Sequence, residues 1–109
     1  MASDDMHVVI YKILAYIYKC MKCGETPEKG EISAEALGIP YAYWAQIISE
    51  LCSHGYVSGI SVVKTTSGLS VTLAKPTITL DGVEFLMENS MMTKAVKFLQ
   101  DTKSAIPFI

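Results

Sequence analysis

Arginine is missing from this 109-residue chain: all nine basic residues are lysine, set against eleven acidic ones for a net charge of −2. Phosphate binding draws on clustered cations that displace counterions, and the guanidinium fork is the side chain best shaped for guanine edges and paired phosphate contacts. A strongly basic nucleic-acid binder is therefore excluded. Histidine is nearly as scarce, with only His7 and His54. No glycine-rich phosphate loop, nucleophile elbow, paired-carboxylate motif or cofactor motif is present, so no set of nucleophile, base and oxyanion donors can be assembled. The expectation is a non-enzymatic protein without a cofactor.

Long apolar runs are also lacking. The longest stretches without a charged residue, 36–49 and 51–63, contain polar residues. Both are shorter than the ~18 apolar residues a membrane span needs. The first residues, Met1-Ala2-Ser3-Asp4-Asp5, are acidic where a secretory signal is basic, which predicts a cytoplasmic protein. Three cysteines, Cys20, Cys23 and Cys52, leave one over from any pairing, so reduced thiols are expected.

What the chain has in quantity is core-forming material, with half of its residues hydrophobic. One domain over residues 1–109 is the reading that length supports. Ser3 is a candidate N-cap, and Met6, Val9, Ile10, Ile13, Leu14, Ile17 and Met21 follow at three- and four-residue steps until Gly24. That spacing predicts a long amphipathic helix. Residues 32–38 read as a two-turn helix capped by Ser33 and closed by Gly38. Pro40 opens a third helix, whose inward stripe is Trp44, Ile47, Ile48 and Leu51.

Beyond Gly55 the period changes to alternation. Residues 57–65 and 69–74 read as strands around Thr66-Ser67-Gly68, and Lys75-Pro76 is expected to end the hairpin because proline cannot donate to a ladder. Thr79 caps a fourth helix with Leu80, Val83, Leu86 and Met87 inward. A fifth is expected near 91–103, followed by an apolar tail, Ala105 to Ile109, expected to dock. The predicted fold class is α+β and mainly helical: a winged helix, meaning a helix-turn-helix with a β-hairpin wing, plus C-terminal helices.

The block Ile78-Thr79-Leu80-Asp81-Gly82-Val83-Glu84-Phe85-Leu86-Met87-Glu88-Asn89-Ser90, with Met92, Lys94-Ala95, Phe98-Leu99, Lys103 and Ile106-Pro107, resembles the YjcQ family. The upstream order is also similar, through Ile32-Ser33, Trp44 to Leu51 and Gly55-Tyr56-Val57-Ser58-Gly59. These are small winged-helix proteins of bacterial and prophage genomes. The resemblance implies the fold, a mobile-element setting and regulatory DNA binding; it brings no catalytic or ligand residues.

In a winged-helix reader the third helix enters the major groove. Its outward residues here are Tyr43, Gln46, Ser49, Glu50 and Ser53. Gln46 has the amide that pairs with adenine, Ser49 and Ser53 have hydroxyls for phosphate, and Glu50 opposes both. The hairpin adds Lys64, Thr65 and Thr66, with Lys75 at its far end; a lysine patch of Lys64, Lys75, Lys94 and Lys97 would supply the missing charge. The same tip residues also suit any turn.

Cys20 and Cys23 have the spacing of a zinc half-site, with Cys52 and His54 as the imaginable other half, but helix ends splay such pairs and partly buried thiols are the ordinary alternative. Tyr11, Tyr18, Tyr41, Tyr43 and Phe108 are more aromatic surface than so small a core can take. They suggest a protein partner, or a homodimer through the first helix and the C-terminal tail. Two functions stay open: duplex DNA binding by a transcriptional regulator of a mobile element, or a protein–protein interaction module that has lost DNA binding.

Overall fold

A computed structural model of the chain describes residues 4–88. The first apolar stripe forms α1, Met6–Cys23, which buries Val9, Ile10, Ile13, Leu14 and Ile17 together with Val8 and Cys20. Met21, expected inward, is 46% exposed. The core is centred on Ile13 and Ile17, so the last inward turn falls to Cys20, and Met21 lies about 100° further round. Gly24 ends the helix in the left-handed region at φ 73°. There its N–H and that of Glu25 return to the carbonyls of Met21 and Cys20 at 3.1 and 2.8 Å.

The segment read as a two-turn helix is shorter than expected. A 3-10 turn, Lys29–Ile32, precedes a single helical turn, α2, Ala34–Leu37. Ser33 separates them because its backbone is extended at ψ 165°, the geometry that lets its hydroxyl accept from the Ala36 N–H at 3.1 Å. After Gly38 and Pro40 comes α3, Tyr41–Ser53, with Trp44, Ala45, Ile47, Ile48 and Leu51 buried. The Trp44 indole N–H donates to the Ile32 carbonyl at 2.8 Å inside the core. That bond satisfies two polar groups that would each cost about 1–3 kcal/mol if buried alone, and it fixes α3 against the turn before α2.

The alternating segment forms β1, Val57–Thr65, and β2, Gly68–Ile78, an antiparallel hairpin closed by Thr66-Ser67. Contrary to expectation, β2 does not stop at Lys75-Pro76 but continues to Ile78. The register explains how. Ser58 pairs with Thr77 and Ile60 with Leu73, so Ala74, Lys75 and Pro76 bulge opposite Gly59 alone. Proline is tolerated where the ladder asks for no N–H, and Pro76 is fully buried. Gly59 makes the crossing possible: its φ is +78°, and a Cβ there would stand 1.9 Å from the Lys75 carbonyl oxygen.

The last described element is α4, Leu80–Glu88. Thr79 caps it as expected, accepting from the Gly82 N–H at 3.1 Å. Leu80 and Met87, however, are 74% and 53% exposed, and the inward face is Gly82, Leu86 and, in part, Val83 and Phe85. The backbone of Tyr56 presses so close at Gly82 that a Cβ would meet its carbonyl at 2.3 Å. This contact rotates the helix away from the arrangement the spacing alone suggests. Together the described elements make a mainly helical α+β fold in winged-helix order, around one apolar cluster drawn from α1, α3, α4 and the hairpin base. The expected N-cap Ser3, the fifth helix and the docking tail lie outside the described residues.

Gly59→Ala is expected to cost roughly 2–4 kcal/mol, since it combines backbone strain with a clash against main chain. Gly24→Ala, with open space around it, should cost only about 1–2 kcal/mol. Urea denaturation of the two variants beside the parent measures both.

Candidate nucleic-acid interface

Helical spacing puts Gln46, Ser49 and Ser53 on one face of α3, and strand alternation with the register Lys64 to Leu69 puts Val62, Lys64 and Leu69 on one face of the hairpin. The two faces meet. Between them runs an open groove of about 770 Å³, lined by Gln46, Ser49, Ser53, Lys64, Thr65 and Thr66, with Cys52, Val62, Gly68 and Leu69 completing it. Six of the eight residues expected to touch DNA thus share one surface. Among the described residues no carboxylate lines it.

The other two are placed elsewhere. Tyr43 is half-buried and donates its hydroxyl to the Asp4 carbonyl at 2.8 Å, tying α3 to the start of α1. Lys75 is exposed at the bulge opposite Gly59, away from the groove lining. Of the imagined lysine patch, Lys94 and Lys97 fall outside the described residues. Glu50, the residue that argued against phosphate, is turned along its own helix, 3.8 Å from His54 Nδ1 and 3.5 Å from Gln46 Nε2.

The hydrogen-bonding state of the lining decides what it can hold. The Thr65 hydroxyl donates to the Gly68 carbonyl at 2.8 Å, so toward a ligand its oxygen can only accept. By contrast, the hydroxyls of Ser49, Ser53 and Thr66 and the ammonium of Lys64 have no hydrogen-bond or ion-pair partner among the described residues. A phosphate oxygen accepts and never donates, so these four groups match it and Thr65 does not.

Sequence reasoning missed the apolar floor, Cys52, Val62 and Leu69. Cys52 follows Ser49 by one helical turn, a usable signal. Val62 and Leu69 needed the strand register, which the two-residue Thr66-Ser67 turn determines.

The imagined zinc quartet does not come together. Cys20 is buried in α1, Cys23 is exposed and Cys52 is half-buried on α3. Among the described residues no group of three or more His, Cys, Asp and Glu is placed to hold a metal ion. The aromatic surplus is partly absorbed as well: Tyr11 and Tyr18 pack half-buried against the core, while Tyr41, 52% exposed, sets its ring tilted at 46° to that of Trp44, with centroids 5.4 Å apart. No helix of the described residues is long and apolar enough to cross a membrane.

A family model described as YjcQ protein matches residues 11–105, which includes every element lining the groove. No curated protein and no solved structure matches the chain.

Burial pushes the Cys52 thiol above its ordinary value, so the thiolate forms only at higher pH than usual. Alkylation with iodoacetamide at pH 8, read by peptide mass spectrometry, should label exposed Cys23 first and Cys52 later. The Cys52 rate should still be climbing with pH after an ordinary thiol has levelled off.

Proposed function

Because the chain belongs to the YjcQ family, and because α3 and the hairpin form a single groove, we propose that it is a non-enzymatic winged-helix module that binds duplex DNA. In this reading it is one domain, acts in the cytoplasm and serves transcriptional regulation of a mobile element. The family is not a known enzyme family.

One observation carries the proposal: among the described residues Lys64, Ser49, Ser53 and Thr66 border a groove that no carboxylate lines and have no partner already holding their donors, with Gln46, whose amide also reaches Glu50 at 3.5 Å, beside them. In this arrangement α3 offers its Gln46 amide to a base edge, the serines donate to one phosphate backbone, and the hairpin tip lies along the duplex with Lys64 toward phosphate. The scarcity of cations makes such binding weak in salt. A lone ammonium releases about one counterion, and hydroxyl contacts release none.

A second reading is favoured by the overall charge of −2 without arginine. On that reading the module keeps the fold and takes a protein partner, or pairs with itself through α1 and the C-terminal tail, with Tyr41 as part of the exposed aromatic surface.

Fluorescence anisotropy with random-sequence duplex at several salt concentrations separates the two. Binding that weakens as salt rises, and a Lys64→Ala variant that weakens binding to all sequences alike while lowering the salt slope by about 1, is the expected result. Gln46→Ala should instead relax preference at one adenine position, by about 1–3 kcal/mol. Failure to bind any duplex at low salt leaves the protein-partner reading in place.

A further inference from the structure

The hairpin has two outer edges, and they are treated differently. On β2 the Val71 N–H donates to the Tyr41 hydroxyl at 3.3 Å, so that edge is capped by α3. The same bond identifies the register. Val71 points its N–H away from β1, so its partner Val62 belongs to a pair that exchanges no ladder bonds, and the N–H and C=O of Val62 also point outward. By alternation so do those of Ile60 and Lys64.

Among the described residues no donor or acceptor meets these outward groups. The exposed edge runs from Ile60 to Thr65, about 20 Å of extended chain, because the bulge at Gly59 breaks the pairing below it. Edges of this kind are usually blunted by proline, by several charges or by a covering element. Here the run Ile60-Ser61-Val62-Val63-Lys64-Thr65 has two adjacent valines and one charge. Val63, on the face away from α3, is 55% exposed.

We propose that this edge pairs with the same edge of a second copy of the chain, antiparallel about a two-fold axis at Val62, to give a four-stranded sheet across the dimer. The occupant follows from self-complementarity. With the axis at Val62, Ile60 faces Lys64 of the partner copy, Val62 faces its own equivalent and Lys64 faces Ile60. All three outward positions then become bonded pairs, for about six main-chain bonds.

Charge fits the same register. The two Lys64 positions are offset by four residues, about 14 Å along the strands, which is beyond the ~8 Å reach of unscreened repulsion in physiological salt. On the other face Val63 falls opposite Ser61 of the partner and is covered. Such a contact is small, so the dimer is weak, with half-association at about 10⁻⁴ M. It uses main-chain groups and stands whether or not the groove takes DNA.

Sedimentation velocity of the full chain from about 10⁻⁵ to 10⁻³ M tests it. The wild type should shift reversibly from monomer to dimer. Ser61→Lys with Val63→Lys, which sets like charges directly opposite across the axis on an already exposed face, should weaken association at least tenfold while circular dichroism and melting stay those of the parent. In amide exchange by nuclear magnetic resonance, Ile60, Val62 and Lys64 should gain protection as concentration rises. A wild type that stays monomeric over this range, or a double variant that associates as well as the parent, overturns the proposal.

Discussion

The junction at Thr79 is the constraint on which the groove depends. Its hydroxyl donates to the Gly55 carbonyl at 2.5 Å and accepts from the Gly82 N–H at 3.1 Å, and its own N–H donates to the Tyr56 carbonyl at 3.0 Å. One residue thereby joins the chain leaving α3, the base of the hairpin and the start of α4. The surroundings reinforce it. Gly55 turns at φ 73°, Gly82 lets α4 touch the Tyr56 backbone, and the Tyr56 ring stacks on Phe85 at 4.8 Å. Since α3 ends at this point and the hairpin begins there, the angle between them, and so the width of the groove, is set by main-chain contacts with little room to adjust.

From that base the hairpin reaches outward past its bulge. Val57 and Ile78 anchor it in the core, while Ile60, Val62, Leu69, Val71 and Leu73 keep a half-buried apolar face turned toward the body of the molecule. The bulge at Gly59 separates the anchored part from the projecting part. Below it the strands serve the core; above it they carry Lys64 and Thr66 to the groove and leave one strand edge without a partner among the described residues. A single glycine thus permits both the buried proline of β2 and the independent course of the tip.

Much of this order was legible from pattern. The three- and four-residue steps in α1 and α3, the glycines at 24 and 38, the Ser33 and Thr79 caps and the change to alternation after Gly55 all correspond to observed elements. Each is a local signal written in consecutive residues. What escaped was set by contacts distant in sequence. Nothing near Pro76 announces that Gly59 will face a three-residue bulge, and nothing within α4 announces that Tyr56 will press on Gly82 and leave Leu80 and Met87 outside. For the interface, helical spacing found Gln46, Ser49 and Ser53 but also assigned Tyr43 to the outward face, where its hydroxyl instead reaches the Asp4 carbonyl; Lys75, taken from the far end of the hairpin, lies at the bulge and away from the groove lining.

Composition weighed against nucleic acid, and the arrangement modifies that weight. Net charge averages over the whole surface, but a ligand meets only the lining, and there no carboxylate stands among the described residues and Glu50 is engaged along its own helix. The most direct test is to titrate a short random duplex into the isotopically labelled full chain at low salt and map the perturbed resonances. On this account the changes concentrate at Gln46, Ser49, Ser53, Lys64 and Thr66, on both walls of the groove at once. Changes confined to α1 or the outer face of α4, or none at all, would contradict it.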